Sequence, residues 1–505
     1  MAEHVVLHLD SITKRFGSFA ANDNISIELR RGEVVALLGE NGAGKTTLMN
    51  ILFGHYVPDE GEVFIEGRRI SHGKPKEAIA AGVGMVHQHF SLAKNLTVIE
   101  NVMTGTEPLF GLKSETAKAK RKLKELEDKF GLVVDPDARV GDLSVGEQQR
   151  VEILKALYND ARILILDEPT GVLTQQEAEG LFDTLRTMAQ DGLSIIFISH
   201  KLNEVMNGSD RVVVLRAGKV TAERDTSETS KEELAELMVG RRVERPVREE
   251  ASFGDVVLRV ENVGLSAGLV SRLSDINLEI RAGETLGIVG VSGNGQAALC
   301  DVVAGVLHPD QGTISINGAE VQNLNPRDLS NMKVGRTPED RNTQGAVGEL
   351  TLWENTVLER IKDPRFSSRG FVKKSEGRAY CKDLIDRFDV RGGTPNSRIS
   401  RLSGGNMQKL ILGRCLAEHP VFLLAAQPTR GLDEGAIAAI HEDILIARKA
   451  GAAVLLVSED LDEVVSLSDR IMAIHGGKLS PAVETEHVDS RKLGLMMAGE
   501  WGGLS

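Results

Sequence analysis

Cysteine, basic charge and long apolar runs are scarce in this sequence, and each scarcity closes off a class of protein. The three cysteines, Cys300, Cys381 and Cys415, lie far apart without C-x-x-C spacing. Neither a disulfide framework nor a zinc site is indicated, and a reducing compartment fits best. No stretch approaches the ~18 apolar residues of a membrane span. The opening MAEHVVLHLDSITKRF also lacks the charged-then-apolar pattern of a secretory signal, so any service to a membrane is expected to be that of a soluble partner. Sixty Lys and Arg against 73 Asp and Glu leave a formal net charge of -13, which argues against a protein built to coat nucleic acid. Low-complexity tracts are missing too. Glycine is abundant: 52 of 505 residues, above the ordinary share of ~7%, which points to tight turns or phosphate-binding loops. With 41% hydrophobic and 26% charged residues the chain reads as globular, and its length calls for roughly two to four domains.

One pattern is written twice. VVALLG, Val34 to Gly39, is a short apolar β-branched run followed by ENGAGKTTLMNILFG with helical spacing, and TLGIVG, Thr285 to Gly290, is followed by VSGNGQAALCDVVAG. The shift from Gly39 to Gly290, 251 positions, also carries Gln88 to Glu339. LTVIEN from Leu96 matches LTLWEN from Leu350 at 254, and LSVGEQQ from Leu143 matches LSGGNMQ from Leu402 at 259. LDEPTGVLT with LAAQPTRGLD, and ISHKLNEV with VSEDLDEV, keep that last shift. A drift of a few loop residues marks an internal duplication of a domain of about 240 residues. The boundaries expected are 1–242, a short charged linker over 243–255 that holds Pro246, and 256–505. Each half alternates strand and helix patterns, as an α/β domain with a mostly parallel sheet does.

The chemistry concentrates in the first half. GENGAGKTT, Gly39 to Thr47, satisfies G-x-x-x-x-G-K-[ST] between a strand and a helix. Gly39, Asn41, Gly42 and Gly44 let backbone N–H groups turn towards a phosphate at a helix start. Lys45 would reach the β- and γ-phosphates, Thr46 would bind Mg²⁺, and Thr47 completes the loop. ILILDEPT ends an apolar strand in two carboxylates: Asp167 for the Mg²⁺ shell, Glu168 to polarise the attacking water, since phosphoryl transfer depends on positioning and charge stabilisation. IIFISH ends another strand in His200. A lone histidine there is usually structural, but after a P-loop, Gln88, LSVGEQQ and LDEPT it reads as a γ-phosphate contact that orients the water. Gln88 would link Mg²⁺ and nucleophile to a moving loop. Phe16 fits adenine stacking and a core position about equally well.

In this order, and twice over nearly the whole length, these motifs resemble an ATP-binding cassette protein with two cassettes fused. The resemblance implies two tandem P-loop NTPase domains, each with a helical subdomain. It also implies a head-to-tail arrangement in which the P-loop of one cassette faces the LSGGQ-like signature of the other. One position would then combine Lys45, Thr46, Gln88, Asp167, Glu168 and His200 with Ser403, Gly404 and Gly405 of LSGGN, where Asn406 replaces the usual glutamine. The other would combine GVSGNGQAAL with LSVGE, which offers Ser144 but has Val145 where glycine is usual. There the lysine has become Gln296, the metal hydroxyl Ala297, the Gln-loop residue Glu339, the metal aspartate Ala426, the catalytic glutamate Gln427 and the switch histidine Glu459. The intact signature lies in the half with the broken P-loop, so one hydrolytic position is expected.

Fused cassettes of this kind are similar to the ATPases of sugar and nucleoside importers. Thr174 in EPTGVLT, where most cassettes have aspartate, and TPEDR in the second Gln loop favour that class, and LSVGEQQRVEILKAL with AQPTRGLD resembles its nucleoside-uptake branch. The class implies two integral-membrane permease subunits, a solute-binding protein acting through them, ATP and Mg²⁺ as cofactors, no nucleic acid, and a peripheral place on the cytoplasmic face of the inner membrane. FSLAKNLTVIENV and GAVGELTLWENTV would carry the permease dock. Phe90, Leu92, Leu96, Leu350, Leu352 and Trp353 suit such an interface, and suit a core equally. The rival is a soluble tandem-cassette translation factor acting on ribosomes, but such factors usually keep both P-loops and both glutamates and carry a long basic linker.

Overall fold

The computed structural model describes residues 4–501 except 18, 41, 88–90, 106–115, 171–172, 174, 241–245, 250, 268–269 and 292. The chain divides into two compact units, Met1–Val243 and Glu244–Ser505. Of the expected linker, Arg248 and Glu249 are tied into the second unit. The Arg248 and Arg448 guanidiniums both donate to the buried Asp469 carboxylate at 2.7 Å, and Arg448 also donates to the Glu249 carbonyl at 3.0 Å.

Each unit is built on a sheet of parallel strands. In the first the order is Val83–Val86, Ile163–Asp167, Ser194–Ser199, Val34–Gly39, Arg211–Arg216, with Lys219–Asp225 antiparallel at the edge. The second repeats it with Val334–Thr337, Phe422–Ala426, Ala453–Val457, Thr285–Val289 and Arg470–His475. These strands read as unbroken apolar runs because both faces are covered. Leu164 and Leu166 enter one core, while Ile163 and Ile165 enter the other. In the copy, Leu423 and Ala425 face one core and Phe422 and Leu424 the other.

Each unit also carries a four-stranded antiparallel sheet, led by the long strand pairs Val5–Phe16 with Phe19–Arg30 and Val256–Ala267 with Val270–Arg281. A mostly parallel reading does not anticipate these strands. Their one-sided burial alternates, as with Leu7, Leu9, Ile25, Ile27 and Leu29 in a core. The helical part of the first unit comprises Val98–Met103, Thr116–Phe130 and Val145–Tyr158, and that of the second Leu352–Val357, Lys374–Arg387 and Gly404–Leu416.

The dock expectation needs correction at two positions. Leu352 and Trp353 are buried core residues, 0% and 6% exposed. A capping box between Thr351 and Glu354 starts their helix, and both side chains pack in the core of the second unit. Leu92 is half-buried against the core, Leu96 and Leu350 are half-buried, and Phe90 lies outside the described residues.

Candidate functional site

The strand Val34–Gly39 ends at the loop, and the helix Lys45–Leu52 begins directly after Gly44. Gly44 sits at φ 100°, and a Cβ there would collide with the Ala21 carbonyl, so no other residue fits. The buried Asn22 Nδ2 donates to the Gly44 carbonyl at 3.0 Å and ties the loop to the antiparallel sheet, a support that motif reading did not single out. Lys45 is 5% exposed and its Nζ donates to the carbonyls of Gly39 at 2.6 Å and Glu40 at 2.9 Å. Its cation thus lies folded over the loop it serves. Gly42 lies in the loop at φ 86° and Thr47 in the helix Lys45–Leu52, and Asn41 lies outside the described residues.

The neighbouring strands bring the acids to the same end. Ile163–Asp167 pairs parallel with Ser194–Ser199, so Asp167 and Glu168 end one strand where His200 follows the other. His200 Nδ1 and Glu168 Oε1 are 3.1 Å apart. The Thr46 hydroxyl bonds Asp167, and Lys45 acts on both carboxylates. Glu168 turns out of the strand in a left-handed backbone conformation, φ 47°, with its N–H on the Ile198 carbonyl at 3.1 Å. Such a conformation costs a non-glycine residue about 1–2 kcal/mol and aims the side chain away from the core. Gln427 repeats φ 47° and the same bond, to Val457 at 2.7 Å.

Environment separates the two acids. The hydrogen bond from His200 holds the Glu168 carboxyl below the ordinary carboxylate range. Burial, and then the charge of Glu168, push Asp167 up to about 6. Adjacent carboxyls driven apart in this way are a mark of divided roles. The hydroxyl of Thr46 and the carboxylate of Asp167 are hard oxygen donors of the kind Mg²⁺ takes, the remaining positions going to phosphate and water. A divalent ion would also relieve the crowding of two acids.

A stability prediction follows for the ligand-free chain. The raised Asp167 carboxyl binds its proton more tightly folded than unfolded. Its contribution is complete below about pH 4 and is lost as pH rises through about 6. At pH 7 Asp167→Asn, which cannot ionise, is expected to stabilise the metal-free first unit by ~1–3 kcal/mol. That is roughly 2–4 °C of melting midpoint per kcal/mol. Calorimetry with chelator at pH 7 and pH 4 checks it. A variant no more stable at pH 7, or equally favoured at pH 4, contradicts it.

The second unit keeps the shape and not the groups. Gln296 is buried at the start of its helix, with Nε2 donating to the Val291 carbonyl at 2.8 Å and Oε1 accepting the Asn294 N–H at 3.1 Å. Ala297 and Ala426 offer no metal ligand. Glu339 is paired with Arg430 at 2.6 Å. Gln427 Oε1 accepts the Glu459 N–H at 3.4 Å, while Glu459 is exposed.

The two signature serines differ in a way the sequence reading missed. Both cap their helices, Val145–Tyr158 and Gly404–Leu416. Ser144 donates its hydroxyl to Glu147 at 2.7 Å, whereas Ser403 accepts from Asn406 Nδ2 at 2.9 Å. The S-x-x-E spacing of a capping box was the available signal. Gly404 and Gly405 open the second of these helices, and Gly404 lies against Arg341, whose guanidinium a Cβ would meet at 2.8 Å. Phe16 is 49% exposed at the end of its strand, edge-on to Tyr56, so it is not core. Gln88 and Thr174 lie outside the described residues.

Comparison with known proteins agrees with this geometry. The ABC transporter family profile matches residues 22–171 and 273–430. The chain is 43% identical to the nucleoside import ATP-binding protein NupA of Lactococcus lactis, covering 99% of each chain. It is 43% identical to the glucose import ATP-binding protein TsgD13 of Haloferax volcanii, covering 99% of this chain and 96% of that one. Among solved structures, an archaeal ribosome recycling factor, aABCE1, aligns with a TM-score of 0.65 over 97% of this chain and 92% of its own, at 20% identity. An identity so low carries the shared fold alone.

Proposed function

Because the chain belongs to the ABC transporter family of ATP-binding proteins, with two cassettes in one polypeptide, we propose that it is the subunit that hydrolyses ATP to energise a nucleoside importer through its first cassette. The observation that carries the catalytic part is the cluster of Lys45, Thr46, Asp167, Glu168 and His200, set beside a second copy of the same scaffold that holds Gln296, Ala297, Ala426, Gln427 and Glu459 instead. Lys45 neutralises the β- and γ-phosphates. Glu168, kept ionised by His200, orients the attacking water. Thr46 and Asp167 hold Mg²⁺, which when bound supplies charge stabilisation to the phosphate oxygens. Ser403, Gly404 and Gly405 complete the position by the head-to-tail pairing that the complementary motif losses favour, His200 contacts the γ-phosphate, Gln88 links Mg²⁺ and the nucleophile to a moving loop, and Phe16 stacks on adenine.

Two permease subunits and a solute-binding protein are the partners that go with an importer subunit, at the cytoplasmic face of the membrane. Among the described residues no helix is long and apolar enough to cross a membrane. LSVGEQQRVEILKAL and AQPTRGLD favour nucleosides over sugars, as does the similarity to the nucleoside import protein of Lactococcus lactis, while the similarity to the glucose import protein of Haloferax volcanii favours glucose. A ribosomal role has only the shared fold behind it. Uptake of labelled nucleosides and simple sugars in a strain lacking this chain decides the matter. Nucleoside uptake should fall to background and return with the wild-type chain but not with Glu168→Gln. Loss of sugar uptake alone overturns the nucleoside assignment, and unchanged uptake of every solute overturns the importer role.

A further inference from the structure

We propose that Gln296 and Glu147 are specificity-determining residues that close the second nucleotide position to phosphate, each occupying with its own side chain the groups that would otherwise receive the anion.

The loop shows the first closure. In the first unit the Ala43 N–H turns to the Glu40 carbonyl at 3.1 Å, and the same carbonyl takes Lys45 Nζ at 2.9 Å. In the second unit Gln296 Nε2 reproduces the lysine's bond, to the corresponding carbonyl of Val291 at 2.8 Å. The Asn294 N–H keeps the counterpart of the Ala43 bond, to the Val291 carbonyl at 3.3 Å, and Gln296 Oε1, unlike a lysine, adds a second acceptor to it at 3.1 Å. Asn294 fastens the loop further. Its Nδ2 donates to Val291 at 2.9 Å, and its Oδ1 and backbone carbonyl accept the N–H groups of Gly476 and Gly477, each at 2.9 Å. A phosphate-binding loop works by presenting backbone N–H groups and a cation. Here an amide oxygen, with its partial negative charge, adds a second acceptor to one of those N–H groups, and no lysine is present to offset it. The substitution has therefore brought a partial negative charge to the loop as well as removed a positive one.

Glu147 closes the signature of the first unit. Its Oε2 accepts both the Ser144 N–H at 2.8 Å and the Ser144 hydroxyl at 2.7 Å. Those bonds hold its carboxyl below the ordinary range, so at neutral pH an anion already sits at the positive end of its own helix. In the other signature the same place is taken by neutral Asn406, whose Oδ1 accepts the Arg391 N–H at 2.6 Å. That Glu147 and Gln296 serve one position rests on the cassette pairing proposed above. The closure by Gln296 lies within one unit and does not.

The test counts nucleotide positions on the purified full chain with trinitrophenyl-ATP, using competition by ATP and AMP to ask whether phosphates contribute. Wild type should show one ATP-preferring position per chain, and Lys45→Ala none. Adding Gln296→Ala to Lys45→Ala should restore a position at which ATP outcompetes AMP by about tenfold, and Glu147→Gln should strengthen it again. Gln296→Met, of similar length but without the acceptor, serves should the alanine variant not fold. A Lys45→Ala chain that already prefers ATP overturns the proposal. So does an unchanged ATP to AMP ratio after both Gln296 substitutions. A response to Gln296→Ala without one to Glu147→Gln overturns the pairing and the Glu147 half, while hydrolysis by the first cassette is read separately as phosphate release.

Discussion

A Glu168→Gln chain is expected to bind ATP about as tightly as the wild type and to hydrolyse it ~10²–10⁴-fold more slowly. The substitution preserves size and the left-handed backbone; Gln427 already occupies that conformation in this same protein, at φ 47° beside φ 47° for Glu168. Folding is thus not at issue. What is lost is the carboxylate that His200 keeps ionised from 3.1 Å away. A neutral amide still accepts a hydrogen bond from water, but it neither takes up a proton nor offers negative charge. Phosphate release in single turnover and steady state measures the effect. Gln427→Ala is the matched control, and should leave most turnover in place because an amide there, holding the Glu459 N–H at 3.4 Å, cannot act as a base. Glu168→Gln activity within tenfold of wild type, or a comparable loss with Gln427→Ala, removes the assignment of hydrolysis to the first cassette.

That matched pair also shows where the sequence was legible. Duplication was readable because motif order survives where chemistry does not. The strands around ILILD and FLLAA were readable because burial on both faces leaves no polar position to break the run. The antiparallel sheets were missed because their residues, such as Leu7, Leu9 and Ile27, alternate within segments that also carry charges. Leu352 and Trp353 fit an interface and a core equally as sequence, and only their packing in the second unit's core separates the two. The side chains of Gln296 and Glu147 were hardest, because motif reading asks which group is missing. Only the fold shows that Gln296 bonds a backbone N–H in its loop, whereas the S-x-x-E spacing already signalled the bond of Glu147 to the signature serine.

Lys45 is where that distinction has its largest expected effect. Its Nζ lies 2.6 and 2.9 Å from two loop carbonyls, in a buried place where a unit charge acts far more strongly on a phosphate than in water. Lys45→Ala is expected to lower turnover by ~10³-fold or more, as loss of a cation on the transferring phosphoryl group does. ATP affinity should weaken in parallel. Removing the cation also removes the main charge that draws the Asp167 carboxyl downwards, so that group rises further and Mg²⁺ must compete with a proton for it. The required Mg²⁺ concentration should accordingly increase, and more at pH 6 than at pH 8. Lys45→Gln separates two explanations of a dead P-loop. If lost charge were the whole effect, glutamine and alanine would be equal at this position. If a glutamine folds onto the Glu40 carbonyl and takes the Ala43 N–H, as Gln296 does with Val291 and Asn294, then Lys45→Gln should bind ATP more weakly than Lys45→Ala even though it is the larger and more polar side chain. Equilibrium binding of ATP to the two variants, with melting midpoints to confirm equal folding, reads the difference. Tighter binding by the glutamine variant would mean that the amide assists phosphate and that the second loop is merely uncharged.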